Sequence, residues 1–146
     1  MEEISSTYRG NLLGDEVRVF VAGEGFCAKK QVEIDSKSKD ISSLDYFAIS
    51  ILSDTMLAIK SSLSSAGVKL YNFEAKIKIT LKNSLFAFDV KGFDEPCKIS
   101  AIKLRFYINS LQDDTKELCQ NALKKSILYQ SLKDFLQIEL SFCDVL

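Results

Sequence analysis

Histidine and tryptophan are absent from the 146 residues, there is a single proline, and the six glycines are dispersed. Without histidine there is no Ser-His-Asp triad, no Cys-His dyad, no imidazole-bound zinc and no imidazole acid–base chemistry. Catalysis, if present, falls to Cys, Asp, Glu, Lys, Arg or Tyr, or to a cofactor. The glycines do not build a phosphate loop. Gly23 and Gly25 in "GEGF" have neither GxGxxG spacing nor a following amphipathic helix, so nucleotide binding is not expected and no cofactor is indicated.

Charge of one sign is lacking too. Nineteen Lys and Arg face twenty Asp and Glu, for a net charge of −1. That balance removes the usual electrostatic reason to expect nucleic acid or an anionic membrane as partner. No apolar run approaches the roughly 20 residues that span a bilayer. The start, "MEEISSTYRG", has neither the basic nor the apolar part of a signal peptide, so a cytoplasmic location is expected. Cys27, Cys97, Cys119 and Cys143 form no CxxC and no metal-knuckle spacing. No metal site is expected, and in a reducing cytosol these are free thiols.

What is present fits one domain over residues 1–146, with 47% hydrophobic residues for its core. The β-branched "VRVFVA" at 17–22 reads as a strand, Gly23, Glu24 and Gly25 as a turn, and residues 26–34 as a further strand. An earlier strand turns at residues 11–15. Asp40, Ser42 or Ser43 caps a helix with Asp45 in its first turn. Leu44, Phe47, Ala48, Ile51, Leu52, Met56, Ile59 and Leu63 follow helical spacing, and Gly67 is a natural stop. The middle of this helix, "FAISILSDTMLAIK", is apolar nearly all round, yet it carries Asp54. Such a helix is covered on more than one side.

Phe73, Ala75, Ile77, Ile79 and Leu81 then alternate with Glu74, Lys76, Lys78, Thr80 and Lys82, giving one buried and one solvated basic face. "LFAFDVKGF" at 85–93 and a strand at 99–109 complete a second meander. A helix opening at residues 112–115 places Leu118, Cys119, Ala122, Leu123, Ser126 and Ile127 on one face and continues to about residue 134. Leu136, Ile138, Leu140 and Phe142 alternate as a last strand. The order βββ-α-βββ-α-β, with antiparallel meanders, argues an α+β fold and not a doubly wound one.

Two stretches carry a resemblance. "LDYFAISILSDTMLAIKSSLSSAGVKLYNFEAKIKIT", a small-residue helix, a glycine and an alternating strand, resembles the central part of the OsmC/Ohr family. "ISAIKLRFYI" with "DDTKELCQNALKKSILYQSL" resembles its second strand-and-helix signature. The resemblance is best over residues 44–140; the N-terminal third matches only in being strand-rich. It implies the α+β OsmC-like fold, an intertwined homodimer, and thiol-dependent reduction of organic hydroperoxides by two cysteines. One lies on the central helix in an A-L-x-x-C-T-like context, and the other resolves it from a C-P-V-like context. In this sequence "ILSDT" puts Asp54 at the first position, and "KKSILYQSL" puts Ser126 at the second. A carboxylate cannot form a sulfenic acid and a serine cannot resolve one. The family's supporting arginine and glutamate fall on Arg9, Arg18 or Glu24.

Three functions follow as expectations. The first is an OsmC-like protein without peroxidase chemistry that binds a small apolar or acidic ligand in a pocket at the dimer interface. The second is a peroxidase working through relocated thiols, Cys119 or Cys97. The third is a structural or protein-binding role. Asp54 is either a buried acid, base or anchor, or a residue that fills a lost site by pairing or reaching water. Cys119, between Leu118 and Ala122, also reads as a small core residue. Cys97, after Pro96 and beside Lys98, has the better chance of exposure; Cys27 and Cys143 read as packing. The lysines of residues 74–82 read as solvation or as a site for an anion.

Overall fold

The computed structural model describes residues 3–87, 91–92, 94–109 and 113–144. The chain divides into two compact units, Met1–Phe47 and Ala48–Leu146.

The first unit is an antiparallel sheet of β1 (Gly10–Leu13), β2 (Glu16–Val21) and β3 (Glu24–Ala28), in that order. Ala22 and Gly23 both have positive φ, 52° and 82°, the conformation of the two-residue turns that match strand twist. The hairpin therefore turns one residue earlier than the glycines suggest, and Glu24 joins β3. β3 also ends at Ala28, short of the strand expected to residue 34. Beyond it the carbonyls of Lys30 and Gln31 accept from the amides of Ser43 and Leu44, at 3.1 and 3.0 Å, and satisfy helix-end donors instead of a ladder.

α1 (Ser43–Ser65) begins behind Ser42. The Ser42 amide donates to Asp45 Oδ2 at 2.8 Å, and the Asp45 amide donates to Ser42 Oγ at 3.3 Å. Each side chain thus satisfies the other's backbone donor, a capping box with aspartate in place of glutamate. Of the three expected caps, Ser42 is the one used. The far end closes where Gly67 takes φ 77°: the Val68 amide reaches the Leu63 carbonyl at 2.9 Å and the Gly67 amide reaches Ser64 at 3.1 Å. This is the glycine stop expected from the sequence.

The second unit holds the core. β4 (Phe73–Lys82) pairs antiparallel with β5 (Lys98–Ile108), and β6 (Ile138–Asp144) adds to β5. β4 alternates at every residue, and Ile102, Leu104, Phe106 and Ile108 of β5 are no more than 1% exposed. Phe106 stacks on Phe142 at 5.4 Å between ring centroids. From α1, Ile51, Thr55, Ala58, Ile59 and Leu63 are buried in this unit.

The α+β class and the element order expected from the sequence hold, with local differences. β6 runs parallel to β5, so this sheet is mixed and not wholly antiparallel. The segment expected as a strand over 85–93 opens as a helical turn, α2 (Ser84–Ala87), and residues 88–90 and 93 lie outside the described residues. The second long helix is broken in two. α3 (Asp113–Ala122) runs into a tight 3-10 turn at Leu123–Lys125, Ser126 is extended at φ −79°, ψ 111°, and α4 (Ile127–Leu132) starts afresh.

Candidate functional site

The reason for that break is the residue that looked misplaced in α1. Asp54 is half-buried and reaches the start of α4, where its Oδ2 accepts from Ser126 Oγ at 2.5 Å and from the Leu128 amide at 3.0 Å. Ser126 is fully buried, and its Oγ also accepts from the Tyr129 amide at 3.3 Å. The serine is thus the N-cap of α4, and the carboxylate extends the cap by taking a second orphan donor. A charged acceptor makes both bonds stronger than neutral ones. Asp54 and Ser126, the two residues singled out by the resemblance, are in direct contact, and they carry no sulfur.

The remaining thiols lie elsewhere. Cys119 is fully buried and forms no disulfide. Desolvation of its charged form pushes the thiol up to about 11. Such a thiol supplies almost no thiolate near neutral pH, and burial denies it a substrate. Cys97, Cys27 and Cys143 are partly exposed and also unbridged.

The structure separates the three N-terminal candidates. Arg9 and Glu24 are exposed. Arg18 Nη2 is bound to Glu16 Oε2 at 3.0 Å and faces Cys27 across β2 and β3. Glu16, then the Cys27 thiol, raises the guanidinium's already high pKa. The carboxylate beside Arg18 is therefore Glu16, two positions away on the same strand face. The period-2 rule of strands carried that signal, and the sequence reading passed over it.

The fold made of these elements recurs in solved proteins. An OsmC-like protein from Mycoplasma pneumoniae superposes with a TM-score of 0.79 at 10% identity, over 99% of this chain and 100% of that one. The fold is OsmC-like. An organic hydroperoxide resistance protein from Elizabethkingia anophelis gives 0.73 at 10% identity, over 99% and 100% of the two chains. One from Legionella pneumophila gives 0.71 at 12% identity, over 97% and 99%. No family model and no curated protein sequence matches. The OsmC-like resemblance read from residues 44–140 is thus matched at the level of fold.

Within the first unit, the OsmC-like chain carries a cavity of about 630 Å³. Val17, Val19, Val21 and Phe26 wall it, with Tyr46, Lys29, Lys30 and Gln31 at its edge. The register explains the walls: Val17 opposes Ala28 and Val19 opposes Phe26, which makes one sheet face apolar up to the Val21–Glu24 pair. Tyr46 meets Phe26 edge-on at 6.3 Å and donates to the Cys27 carbonyl at 2.9 Å. The cavity is mostly apolar with a few polar groups, the usual make-up of a small-molecule site. Lys29 and Tyr46 were not foreseen, because their place depends on the loop that follows the shortened β3.

Proposed function

We propose that this chain is an OsmC-like protein, one domain over residues 1–146, that has given up thiol peroxidase chemistry and binds a small amphipathic acid. The observation that carries the first half is the hydrogen bond from Ser126 Oγ to Asp54 Oδ2 at 2.5 Å. Where the resemblance calls for a peroxidatic thiol and a resolving thiol, this chain has a carboxylate and a hydroxyl engaged in capping a helix. Asp54 and Ser126 then serve the fold. Cys119, buried and with its thiol raised to about 11, is a poor substitute nucleophile, which counts against the relocated-thiol reading.

Binding is supported by the cavity of the first unit. Its apolar walls suit a hydrocarbon body, and Lys29 suits a carboxylate head; Lys30 is held by Glu33 at 3.4 Å. Val17, Val21 and Phe26 are each more than two-fifths exposed on that face, and Ile49 and Leu57 of α1 are more than half exposed. Apolar surface of this extent on the sheet supports a homodimer in which a second copy covers that face and closes the cavity, within the cytoplasm.

The test is a peroxidase assay with dithiol reductants and an organic hydroperoxide, before and after alkylation. The expected result is no turnover above the free-thiol background. Robust turnover that alkylation abolishes would overturn this reading and return Cys97 or Cys119 to the reaction.

A further inference from the structure

A second feature lies in the other unit, on the outer face of its sheet, and is independent of the apolar cavity. The register sets like charges directly opposite each other: Lys76 faces Arg105, Lys78 faces Lys103, and Lys82 faces Lys98. Facing like charges destabilise a strand pair by a few tenths of a kcal/mol or more each. Chance neutral residues would be better for the fold alone, yet the pattern repeats three times in a chain whose net charge is −1.

The compensation within the protein is slight. Glu139 meets Lys103 at 3.8 Å, and Arg105 Nε donates to the neutral Ser141 Oγ at 3.3 Å. Lys76 sits over the Tyr107 ring at 5.8 Å, an aromatic contact that holds the cation without neutralising it. Among the described residues, Lys76, Lys78 and Arg105 enter no ion pair. Lys76, Lys78, Lys103, Arg105, Tyr107 and Ser141, together with the carboxylate of Glu139, line a concavity of about 410 Å³.

The spacing says what kind of anion fits. Opposed residues stand about 5 Å apart at their Cβ atoms, and alternate residues of a strand about 7 Å apart. Four cations therefore rise from a patch of about 5 by 7 Å at their Cβ atoms. Glu74, beyond Lys76, and Glu139, beside Lys103, bound the patch with negative charge. A nucleic-acid strand needs a basic track that continues and rings left open for stacking; here acids flank the patch and the Tyr107 ring is under Lys76.

We infer that this face is a binding site for a compact oligophosphate, a small molecule with two or three linked phosphoryl groups, held by Lys76, Lys78, Lys103 and Arg105. Ser141 and Tyr107 supply hydroxyls that orient it. The phosphate oxygens take the place of the carboxylates that Lys76, Lys78 and Arg105 lack, while Lys103 is shared with Glu139.

The experiment is calorimetric titration of the full chain with inorganic tripolyphosphate at fixed ionic strength, beside Lys78→Gln/Arg105→Gln and a control, Lys60→Gln, on α1. Saturable binding with one site per chain is expected, weakened at least tenfold in the double variant and unchanged in the control. Without ligand the double variant should melt no lower than the parent, because like-charge contacts are removed. Tripolyphosphate should raise the melting temperature of the parent and leave that of the variant unmoved. Equal binding by parent and double variant overturns the site, as does absence of binding. Tighter binding of a single-stranded twelve-nucleotide RNA than of tripolyphosphate overturns the ligand class.

Discussion

Ser126 Oγ and Asp54 Oδ2 are 2.5 Å apart although 72 positions separate them in the chain. The bond joins the middle of α1 to the first turn of α4, and Leu128 donates to the same oxygen. Removing the acceptor strands two donors. Asp54→Ala is expected to cost about 2–3 kcal/mol in urea unfolding at fixed protein concentration. Asp54→Asn keeps an acceptor but not its charge and should cost about half as much. Ser126→Ala loses the cap as well as the bond, about 2 kcal/mol. The double variant should fall short of the sum by 1 kcal/mol or more, the signature of direct coupling. Additive losses would mean that the two residues stabilise the fold separately.

The cap of α1 is a more local device. Ser42 is 2% exposed and shares reciprocal bonds with Asp45. Ser42→Ala is expected to destabilise by about 1 kcal/mol, and Ser43→Ala, at the first helical residue, by much less. Equal effects in thermal melts would remove Ser42 from the role.

How much of this was legible can be said residue by residue. Alternation through 73–82 and 102–108 gave away two strands and their buried faces, because a period of two cannot be confused over ten residues. Gly67 announced the end of α1. The break at Ser126 was not legible: "KKSILYQSL" is acceptable helix throughout, and only a carboxylate 72 positions earlier makes an extended serine preferable. Lys76 opposite Arg105 was equally hidden, since each strand shows its own basic face but register exists only between strands. The parallel pairing of β6 is also a property of the path taken between strands, not of the strand's own residues.

The apolar face of the first sheet makes a prediction about assembly. Phe26 is 45% exposed there and opposes Val19. If a second copy covers this face, light scattering should give twice the chain mass, and Phe26→Asp should shift the population toward single chains while far-ultraviolet dichroism stays largely helical and sheet-like. Burying an unpaired carboxylate in an apolar interface costs several kcal/mol, enough to dissociate a moderate dimer. A parent protein of single-chain mass at high micromolar concentration would sink the homodimer.

Cys119 should betray itself through pH. Its folded thiol is pushed up to about 11 by burial, above the roughly 8.5 of an unfolded cysteine. Between these values the folded state holds a proton that the unfolded state has released, so stability falls as pH rises. The contribution is fully present below about pH 8.5 and is lost by about pH 11, on the order of 3 kcal/mol. Other groups titrate in the same window, and the comparison that isolates this one is Cys119→Ala, whose unfolding free energy should decline less steeply over it. At pH 8 an aromatic disulfide reagent should label the partly exposed Cys27, Cys97 and Cys143 first and reach Cys119 only after denaturant is added. Fast labelling of Cys119 in the native protein would show an accessible thiolate, and with it a route back to peroxide chemistry.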